Sequence, residues 1–369
     1  MKNDHHIKAS ALPAVIAVSA LILLTIFILS SLFYSATFYK WHINAQWNRW
    51  EDIESGFKLY CREPSINNSH YIGTSFQLYD DSSESVINID VKPWGMYRKV
   101  RISSKDGSPV SVRILGNAQA YKYSCSLYYP NCENPLSITG CTTLDGRIFI
   151  PQNGIMRKRI KWEQFSGQGV IGETSKSDNG TLPMPDKEML DYIDSLYFNS
   201  PDRVIISPYD TIACHSLIVA NTIIVEAGTS ITAQLMAKDT LIIEDNVIMG
   251  YPSGIYLRGE NNKRYMEVGE WSIVNGYAIV NGTDYGQNRD VHYMQKKNSA
   301  IRGLVYVNGN AECRGAVCGT IMMNNSVVSV NDETYNHTLY DFTLLPNSDI
   351  AFPFWVESDN VLKELVCLD

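Results

Sequence analysis

The first pattern along the chain is an apolar run near the N-terminus. No Asp, Glu, Lys or Arg occurs between Lys8 and Lys40, and residues 11–33 are almost entirely apolar. About 20 such residues cross the hydrocarbon core of a bilayer, which is about 30 Å thick. A cleaved signal peptide has a shorter apolar region, of about 7–15 residues. The run therefore predicts an uncleaved transmembrane helix over residues 11–35, preceded by a short leader at 1–10.

A second pattern follows this run and has the period of a helix. Apolar residues recur there at intervals of three and four, at Ile43, Trp47, Trp50, Ile53, Phe57 and Tyr60. This spacing places them on one face and predicts an amphipathic helical extension over residues 36–62. Two interpretations of that face stay open. The helix packs on its own outer domain, or it packs against neighbouring subunits.

Beyond the helix the apolar positions alternate, as in half-buried strands. One strand face contains Ile87, Ile89 and Val91, and another contains Val110, Val112 and Ile114. Pro-Trp-Gly and Asp-Gly-Ser-Pro sequences between such runs are typical of turns. A small antiparallel β unit is therefore expected within an accessory region at 63–135.

Part of the remaining chain repeats. Residues 217–231 align without a gap on 235–249, which matches Ile224 with Ile242 and Glu226 with Glu244, and residues 204–212 fit at an offset of about 19. Short strands and turns at such a period predict a β-solenoid, here over residues 136–369, with Ile224 and Ile242 in one interior column. A plain antiparallel sheet with accidental similarity is the alternative.

Other segments fit the same plan. Residues 146–154 and 303–311 both begin with glycine and alternate apolar residues, and the second continues towards Gly315 and Gly319. These glycines are expected where the backbone turns or packs closely. Residues 184–198 have the spacing of a short amphipathic helix. The predicted fold is mainly β: a transmembrane helix with a helical extension, a small antiparallel unit, then the solenoid.

Charge decides the orientation and excludes one class of partner. The 369 residues contain 31 Lys and Arg against 39 Asp and Glu, without a basic cluster, so nucleic acid is not expected to bind. Lys2 and Lys8 flank the apolar run on its N-terminal side. By the positive-inside tendency the N-terminus is cytoplasmic and the rest of the chain is periplasmic or extracellular.

The cysteines suggest an oxidising compartment. All eight follow the apolar run, at Cys61, Cys125, Cys132, Cys141, Cys214, Cys313, Cys318 and Cys367. An even number outside the membrane predicts disulfides, and the locally convenient pairs are Cys125 or Cys141 with Cys132, and Cys313 with Cys318. The Cys214-His215 dipeptide lacks a zinc spacing, so no metal site is expected.

Motifs of catalysis are missing from the sequence. It contains no nucleophile elbow, zinc-protease helix, phosphate loop or dinucleotide fingerprint, so neither a catalytic residue nor a cofactor is assigned. The best enzymatic alternative is a polysaccharide-cleaving β-helix. Its acidic residues would come from one repeat, at Asp239, Glu244 and Asp245, with Arg258 in the next loop.

The N-terminal plan resembles a known family. A short basic leader ending Lys8-Ala9-Ser10, an apolar helix that begins at once, and an amphipathic extension are similar to type IV pilin-like proteins, above all minor pilins and pseudopilins. The resemblance implies cleavage by a prepilin peptidase between Ala9 and Ser10. It covers about 50 residues. The family usually has glycine before the cut and glutamate at the fifth mature position, where this chain has Ala14.

Three functions are therefore carried forward. The leading hypothesis is an anchored pilin-like or surface-adhesion subunit whose partners are the membrane and other pilin-like or envelope subunits. Its assembly face contains Ile43, Trp47, Trp50 and Phe57. The second is an anchored β-helix that binds or cleaves surface polysaccharide, with aromatic platforms at Tyr251, Tyr256 and Trp271. The third is a solenoid scaffold that polymerises end to end.

Overall fold

The fold is mainly β, with one long apolar helix at the N-terminus. The computed structural model describes residues 11–63, 74–79, 85–120, 124–259, 264–282, 292–331, 333–346, 349–357 and 361–368. Within these ranges the strands form one antiparallel sheet and a much larger, mostly parallel arrangement.

Two helices occupy the described chain. Helix α1 (Ala11–Arg62) is continuous through the apolar run and its amphipathic extension. Pro64 follows soon after it in the sequence, and proline disfavours helical geometry at the residue before it. Helix α2 (Lys187–Leu196) begins at Asp186, whose carboxylate accepts the backbone N–H of Met189 and so caps the first turn. The predicted short helix at 184–198 is thus present, with Met189 and Ile193 buried.

A five-stranded antiparallel sheet, called the small sheet below, follows α1. Its strands are, in spatial order, β1 (Thr74–Gln77), β2 (Val86–Trp94), β3 (Tyr97–Ser104), β4 (Val110–Asn117) and β25 (Leu362–Cys367). The first four strands correspond to the part of the sequence, between residues 74 and 116, in which apolar and polar residues alternate. The fifth comes from the C-terminus, a segment that the sequence assigned to the solenoid. The chain therefore returns to the small sheet at its end.

The remaining strands pair in parallel, apart from β22, which is antiparallel to β21. They are β5 (Leu127–Tyr128), β6 (Leu136–Thr139), β7 (Thr143–Asp145), β8 (Ile148–Ile150), β9 (Ile155–Arg157), β10 (Gly169–Ile171), β11 (Thr174–Lys176), β12 (Arg203–Ile206), β13 (Ser216–Val225), β14 (Ser230–Ile231), β15 (Ala233–Ile243), β16 (Ile248–Leu257), β17 (Tyr265–Val268), β18 (Ile273–Val280), β19 (Tyr293–Gln295), β20 (Ala300–Cys313), β21 (Ala316–Val330), β22 (Glu333–Asn336), β23 (Thr338–Tyr340) and β24 (Thr343–Leu345).

These strands stack in three sets of parallel segments. Each long strand bends, so that one of its segments belongs to one set and the next segment to another set. Set A contains β12, 222–225, 240–243, β17, β19 and 310–313. Set B contains 216–220, 233–237, 253–257, 276–280, 303–307, 319–323, β5, β8 and β11. Set C contains β14, 248–249, 273–274, 300–301, 316–318, β24, β7 and β10. A separate parallel sheet, β23-β6-β9, follows set A, and the Ser326 hydroxyl donates to the Thr338 carbonyl where the two meet.

The order of stacking differs from the order of the chain. Strand β5 pairs with β21, with Leu127 beside Ile321, and β7 pairs with β24. The segment 127–176 therefore stacks on the end of the chain's later repeats, whereas β12 begins the stack at its other end. Helix α2 lies in the connection between β11 and β12. The two ends of the stack are thus formed by β9–β11 and by β12 with residues 216–220.

The repeat detected in the sequence is real, although its register is interrupted once. Thr222 lies beside Thr240 and Ile224 beside Ile242, while Ile205 lies beside Ile224, so offsets of 18 and 19 both hold. Before a bulge between Ala220 and Thr222 the offset is smaller. The ungapped alignment is therefore wrong for residues 217–220.

The side of the strand that faces the interior is also corrected. Ile223 and Leu241 are fully buried in the core enclosed by the three sets. Ile224 follows the buried Ile223 in its strand, and Ile242 follows the buried Leu241. Because side chains alternate along a strand, Ile224 and Ile242 point to the opposite surface, where they are half-buried. The two isoleucines do stack in one column, but that column is on the outside.

One corner of the stack is built from glycine. Gly276, Gly303 and Gly319 lie directly beside one another, with φ of 144°, 134° and 146°. A Cβ on Gly303 would overlap the carbonyl oxygen of Gly276, and one on Gly319 would overlap that of Gly303. Gly319 therefore has the expected role of close backbone packing at a turn.

Candidate functional site

The most conspicuous surface of the molecule is the free length of α1. From residue 12 to residue 51 no side chain is buried, including the large apolar ones such as Leu21, Phe27 and Phe33. At 1.5 Å per residue this length is about 60 Å, twice the hydrocarbon thickness of a bilayer. Within the described residues, α1 is the one helix long and apolar enough to cross a membrane, and its apolar window is 0 % buried.

The last turns of α1 are attached to the small sheet. Ile53, Phe57 and Tyr60 are buried against apolar residues of the sheet, such as Ile89 and Val100. This burial is expected from the helical spacing of Ile53, Phe57 and Tyr60. The amphipathic extension is therefore divided between a free part and a packed part.

A charged contact supports this attachment. Arg113 of β4 lies over the ring of Phe57, with its guanidinium carbon 4.3 Å from the ring centre. The same guanidinium pairs with Glu54 of α1 and, at 3.0 Å, with Glu364 of β25. Arg113 thus links the helix to two strands of the small sheet.

The residues predicted to form an assembly face do not share one environment. Ile43, Trp47 and Trp50 are exposed, and Trp47 is 66 % accessible. Phe57 is 3 % accessible because the small sheet covers it. The exposed part of the predicted assembly face therefore consists of Ile43, Trp47 and Trp50, and we call these three residues the aromatic face.

The opposite side of the small sheet is fixed to the parallel strands by a buried amide. The Gln234 side-chain oxygen accepts the Met96 N–H at 2.9 Å and the Tyr277 hydroxyl at 2.6 Å. Its nitrogen donates to the Trp94 carbonyl at 2.9 Å. Since buried amides are costly to leave unpaired, this arrangement fixes how the small sheet sits on set B. Helix α1 is thereby connected to the large β region through defined contacts.

The three candidate sugar-binding aromatics do not form a common platform. Tyr256 is fully buried and packs edge-on against Trp355, with ring centres 5.6 Å apart. The Tyr251 hydroxyl accepts the N–H of Ala351. Trp271 is exposed in a turn. Tyr256 is thus not available to stack on a ligand, whereas Tyr251 is half-buried and Trp271 is exposed.

The acidic residues of the repeat hold the backbone of neighbouring turns. Glu244 accepts the N–H of Ala227 at 3.0 Å, and Asp245 accepts the N–H of Glu270 at 2.7 Å. Arg258 pairs with Asp194 of α2 at 3.0 Å. These side chains connect successive turns and the helix.

The predicted disulfides are absent. All eight cysteines lie in the described residues, and no disulfide joins them. Cys125 is buried in the cluster outside set B, whereas Cys132 packs against the enclosed core. Cys313 is buried in the enclosed core, while Cys318 alternates to the half-buried outer side. Cys125 and Cys132 therefore pack in different clusters, as Cys313 and Cys318 lie on different sides of the strands, and the exposed Cys141 is free as well.

The structure instead brings Cys132 close to a histidine 205 residues away. The Cys132 sulfur lies 3.7 Å from Nδ1 of His337, and the Tyr129 hydroxyl is 2.9 Å from the same nitrogen. Asn325 accepts the backbone N–H of His337. The sequence offers no spacing that would reveal this cluster, since its members come from opposite ends of the β region.

The ionisation of this cluster favours its neutral forms. Burial lowers the pKa of His337 and raises the pKa of Cys132. A nucleophilic thiolate needs the opposite shift for cysteine. The cluster consequently has the geometry of a thiol–imidazole pair without an activated thiolate, and it packs the junction between β5 and the later strands.

Metal ligation finds no support in the described part of the chain, where no group of three or more His, Cys, Asp or Glu could hold an ion. The His215 ring packs edge-on against Trp94, with ring centres 6.0 Å apart, and the His215 carbonyl accepts the Trp94 indole N–H. The Cys214-His215 dipeptide thus contributes a turn against the small sheet.

Two predicted residues lie outside the described residues, namely Ala9 and Ser10 at the expected processing position. Comparison with known proteins adds no relative: no family model matches the sequence, and neither the curated proteins nor the solved structures contain a match.

Proposed function

We propose that this protein is a membrane-anchored assembly subunit of pilin-like plan that displays a β-solenoid outside the membrane. The observation that carries the proposal is the division of α1. No side chain from residue 12 to residue 51 is buried and the charged residues begin only at Lys40, while Ile53, Phe57 and Tyr60 are packed on the small sheet. A free apolar helix of this length needs a membrane, other helices, or both around it.

The orientation follows from charge. Lys2 and Lys8 precede the apolar helix, and short basic segments stay in the cytoplasm. The β region would then lie in the periplasm or outside the cell. About 20 residues of α1 cross the bilayer, and the following turns, with Trp47 and Trp50, project beyond it.

The solenoid component is supported by the three strand sets. Each repeat enters sets A, C and B in the same order, and each set pairs strands in parallel with the next repeat. The enclosed side chains, such as Ile223, Leu241 and Val305, form one continuous core. Repetition of one unit that buries its face on its neighbours is the physical basis of a solenoid.

The aromatic face is the assembly surface in this proposal. Trp47 and Trp50 are large, are 66 % and 40 % accessible and lie outside the proposed bilayer span, so contact with a second subunit would remove apolar aromatic area from water. Sugar binding is not proposed, because Tyr256 is buried.

Photocrosslinking in native membranes tests the proposal. A photoreactive residue at position 47 should capture a second copy or a membrane protein with its own N-terminal apolar helix. The matched control is position 57, which is 3 % accessible and should give only products within one chain. Products within one chain at both positions would show that α1 is a tether alone.

Topology is tested separately. Protease added to cells with an opened outer envelope should remove the β region while the inner membrane is intact. Protection until that membrane is dissolved would contradict the proposed orientation.

A further inference from the structure

The two ends of the parallel stack expose backbone groups. At one end, the Ile206 carbonyl accepts the Glu226 N–H and the Asp202 carbonyl accepts the Thr222 N–H. In a parallel ladder alternate residues direct their N–H and C=O to opposite sides. Arg203 and Ile205 of β12 therefore direct theirs away from β13, and in the described residues no strand pairs with that side.

The other end has the same property. The Glu173 carbonyl accepts the Ile148 N–H and the Ser177 N–H donates to Ile150, so Thr174 and Lys176 of β11 direct their backbone groups outward. Directly after β9, the Lys158 N–H donates to the Ile138 carbonyl. The backbone groups of the preceding residue, Arg157, therefore point outward as well. Within the described chain, β9, β10 and β11 have no strand on this side.

Exposed apolar side chains accompany these edges. Outside α1 the described chain has twelve large hydrophobic residues that are exposed, and half of them lie in or beside the terminal strands: Met156, Trp162, Ile171, Phe198, Ile205 and Tyr209. Trp162 is 81 % accessible and Tyr209 is 94 % accessible. Terminal repeats of monomeric solenoids are usually capped by polar residues. These ends have the composition of contact surfaces.

The charges of the two ends are complementary. Segment 155–177 has a net charge of +3, from Arg157, Lys158, Arg159, Lys161 and Lys176 against Glu163 and Glu173. Segment 200–216 has a net charge of −1, from Asp202 and Asp210 against Arg203. Opposite signs favour contact of one end with the other and disfavour contact of the basic end with itself.

We propose that the β9–β11 edge of one copy docks on the β12 edge of a second copy and continues the stack head to tail. Strands within a set run in one direction, so a copy translated along the stack axis presents strands of the correct polarity. The β9 edge then meets β12, and β11 meets residues 216–220. Such a contact joins different surfaces and does not close, so it produces an open series of oligomers.

This inference rests on the β-solenoid of the proposed function and does not depend on the aromatic face of α1. Failure of the test below would leave the crosslinking at position 47 unaffected, and a tether-only α1 would leave the end contact unaffected.

The test uses the full chain in detergent and measures its mass distribution against concentration by analytical ultracentrifugation. The native chain should form an open series. Ile205→Lys places a positive charge on the edge that would face the basic end, and should lower the association constant at least tenfold. Ile248→Lys is the matched control, because Ile248 is about as exposed as Ile205 (50 % against 47 %) but lies in β16, which pairs with strands on both sides. The Ile248→Lys variant should associate like the native chain.

A second variant blocks the other end. Thr174→Pro removes an outward N–H that β11 does not use within the chain. Each variant alone should lose the open series of oligomers, while an equimolar mixture of Ile205→Lys and Thr174→Pro should regain one end-to-end contact per pair, since each supplies the end that the other lacks. Circular dichroism and the unfolding midpoint verify that both variants are folded. A native chain that is monomeric at all concentrations, or Ile205→Lys oligomers equal to the native series, would overturn the inference.

Discussion

Arg113 of β4 covers the ring of Phe57 of α1, with 4.3 Å between the guanidinium carbon and the ring centre. The same guanidinium binds Glu54 on the helix and Glu364 on β25. One residue therefore joins the end of α1 to strands that are more than 240 residues apart in the sequence. The attachment is specific, whereas the preceding part of α1 has no buried side chain and reaches the β region through an exposed ion pair between Arg49 and Asp106, 2.9 Å apart.

Replacing Phe57 with alanine should destabilise this attachment. The side chain is almost fully buried, and loss of a buried aromatic typically costs about 3–5 kcal/mol. The free energy of unfolding of the full chain in detergent, measured with urea, gives the result. Trp47→Ala is the control, because an exposed residue should change stability by about 0.5 kcal/mol or less. Equal losses in the two variants would contradict the division of α1.

The second prediction concerns the two sides of β13. Ile223→Ala empties part of the enclosed core and should cost about 2–5 kcal/mol. Ile224→Ala truncates a half-buried side chain on the outer surface and should cost clearly less. Urea unfolding of both variants compares the same chemical change at neighbouring positions. A larger loss for Ile224 would restore the interior column that the sequence predicted.

A third prediction concerns the glycine corner. Gly303→Ala adds a methyl group that overlaps the backbone of Gly276 and also has an unfavourable positive φ. Gly228→Ala has the φ penalty alone, about 1–2 kcal/mol, since nothing lies within 4 Å of its added Cβ. The unfolding midpoint should therefore fall further for Gly303→Ala than for Gly228→Ala. Similar midpoints would mean that the repeats do not pack as closely as described.

The long apolar helix and the repeat could be predicted from the sequence because each is a local pattern. A long uncharged run predicts one long apolar helix, and Thr222 with Thr240 repeats at the spacing of adjacent parallel strands. The sequence could not show which side of β13 faces the interior, because residues 223, 224 and 225 are all apolar. Without alternating polar residues, nothing in the strand marks the outward side.

Long-range arrangement was beyond the sequence for a different reason. The pairing of β5 with β21, and of β25 with β4, joins segments separated by most of the chain. Likewise Cys132 and His337 are far apart in the sequence, so no motif spacing connects them. Short cysteine spacings were misleading, because a short separation in the sequence does not show which cluster each thiol packs into: Cys125 and Cys132 belong to different clusters.

The pH dependence of stability should report His337. Burial lowers its pKa in the folded protein below the ordinary 6.5, so on acidification the unfolded chain takes up the proton first. The stability from this group is therefore present above pH 6.5 and declines as the pH falls below that value. Unfolding free energies at pH 7.5 and pH 5 should differ less in His337→Gln than in the native chain. An unchanged difference would show that His337 does not titrate as described.

Thiol reactivity gives the last prediction, because burial differs strongly among the cysteines. Burial raises the pKa of Cys125 to about 12 and also raises the pKa of Cys313, and only the thiolate reacts with maleimide. Cys141 and Cys214 are exposed. In the folded chain at neutral pH, Cys141 and Cys214 should be modified within minutes, and Cys125 and Cys313 only after unfolding. Mass spectrometry assigns each site. All eight cysteines should be modified after unfolding without a reductant, and a shortfall of two would demonstrate a disulfide that the structure does not contain.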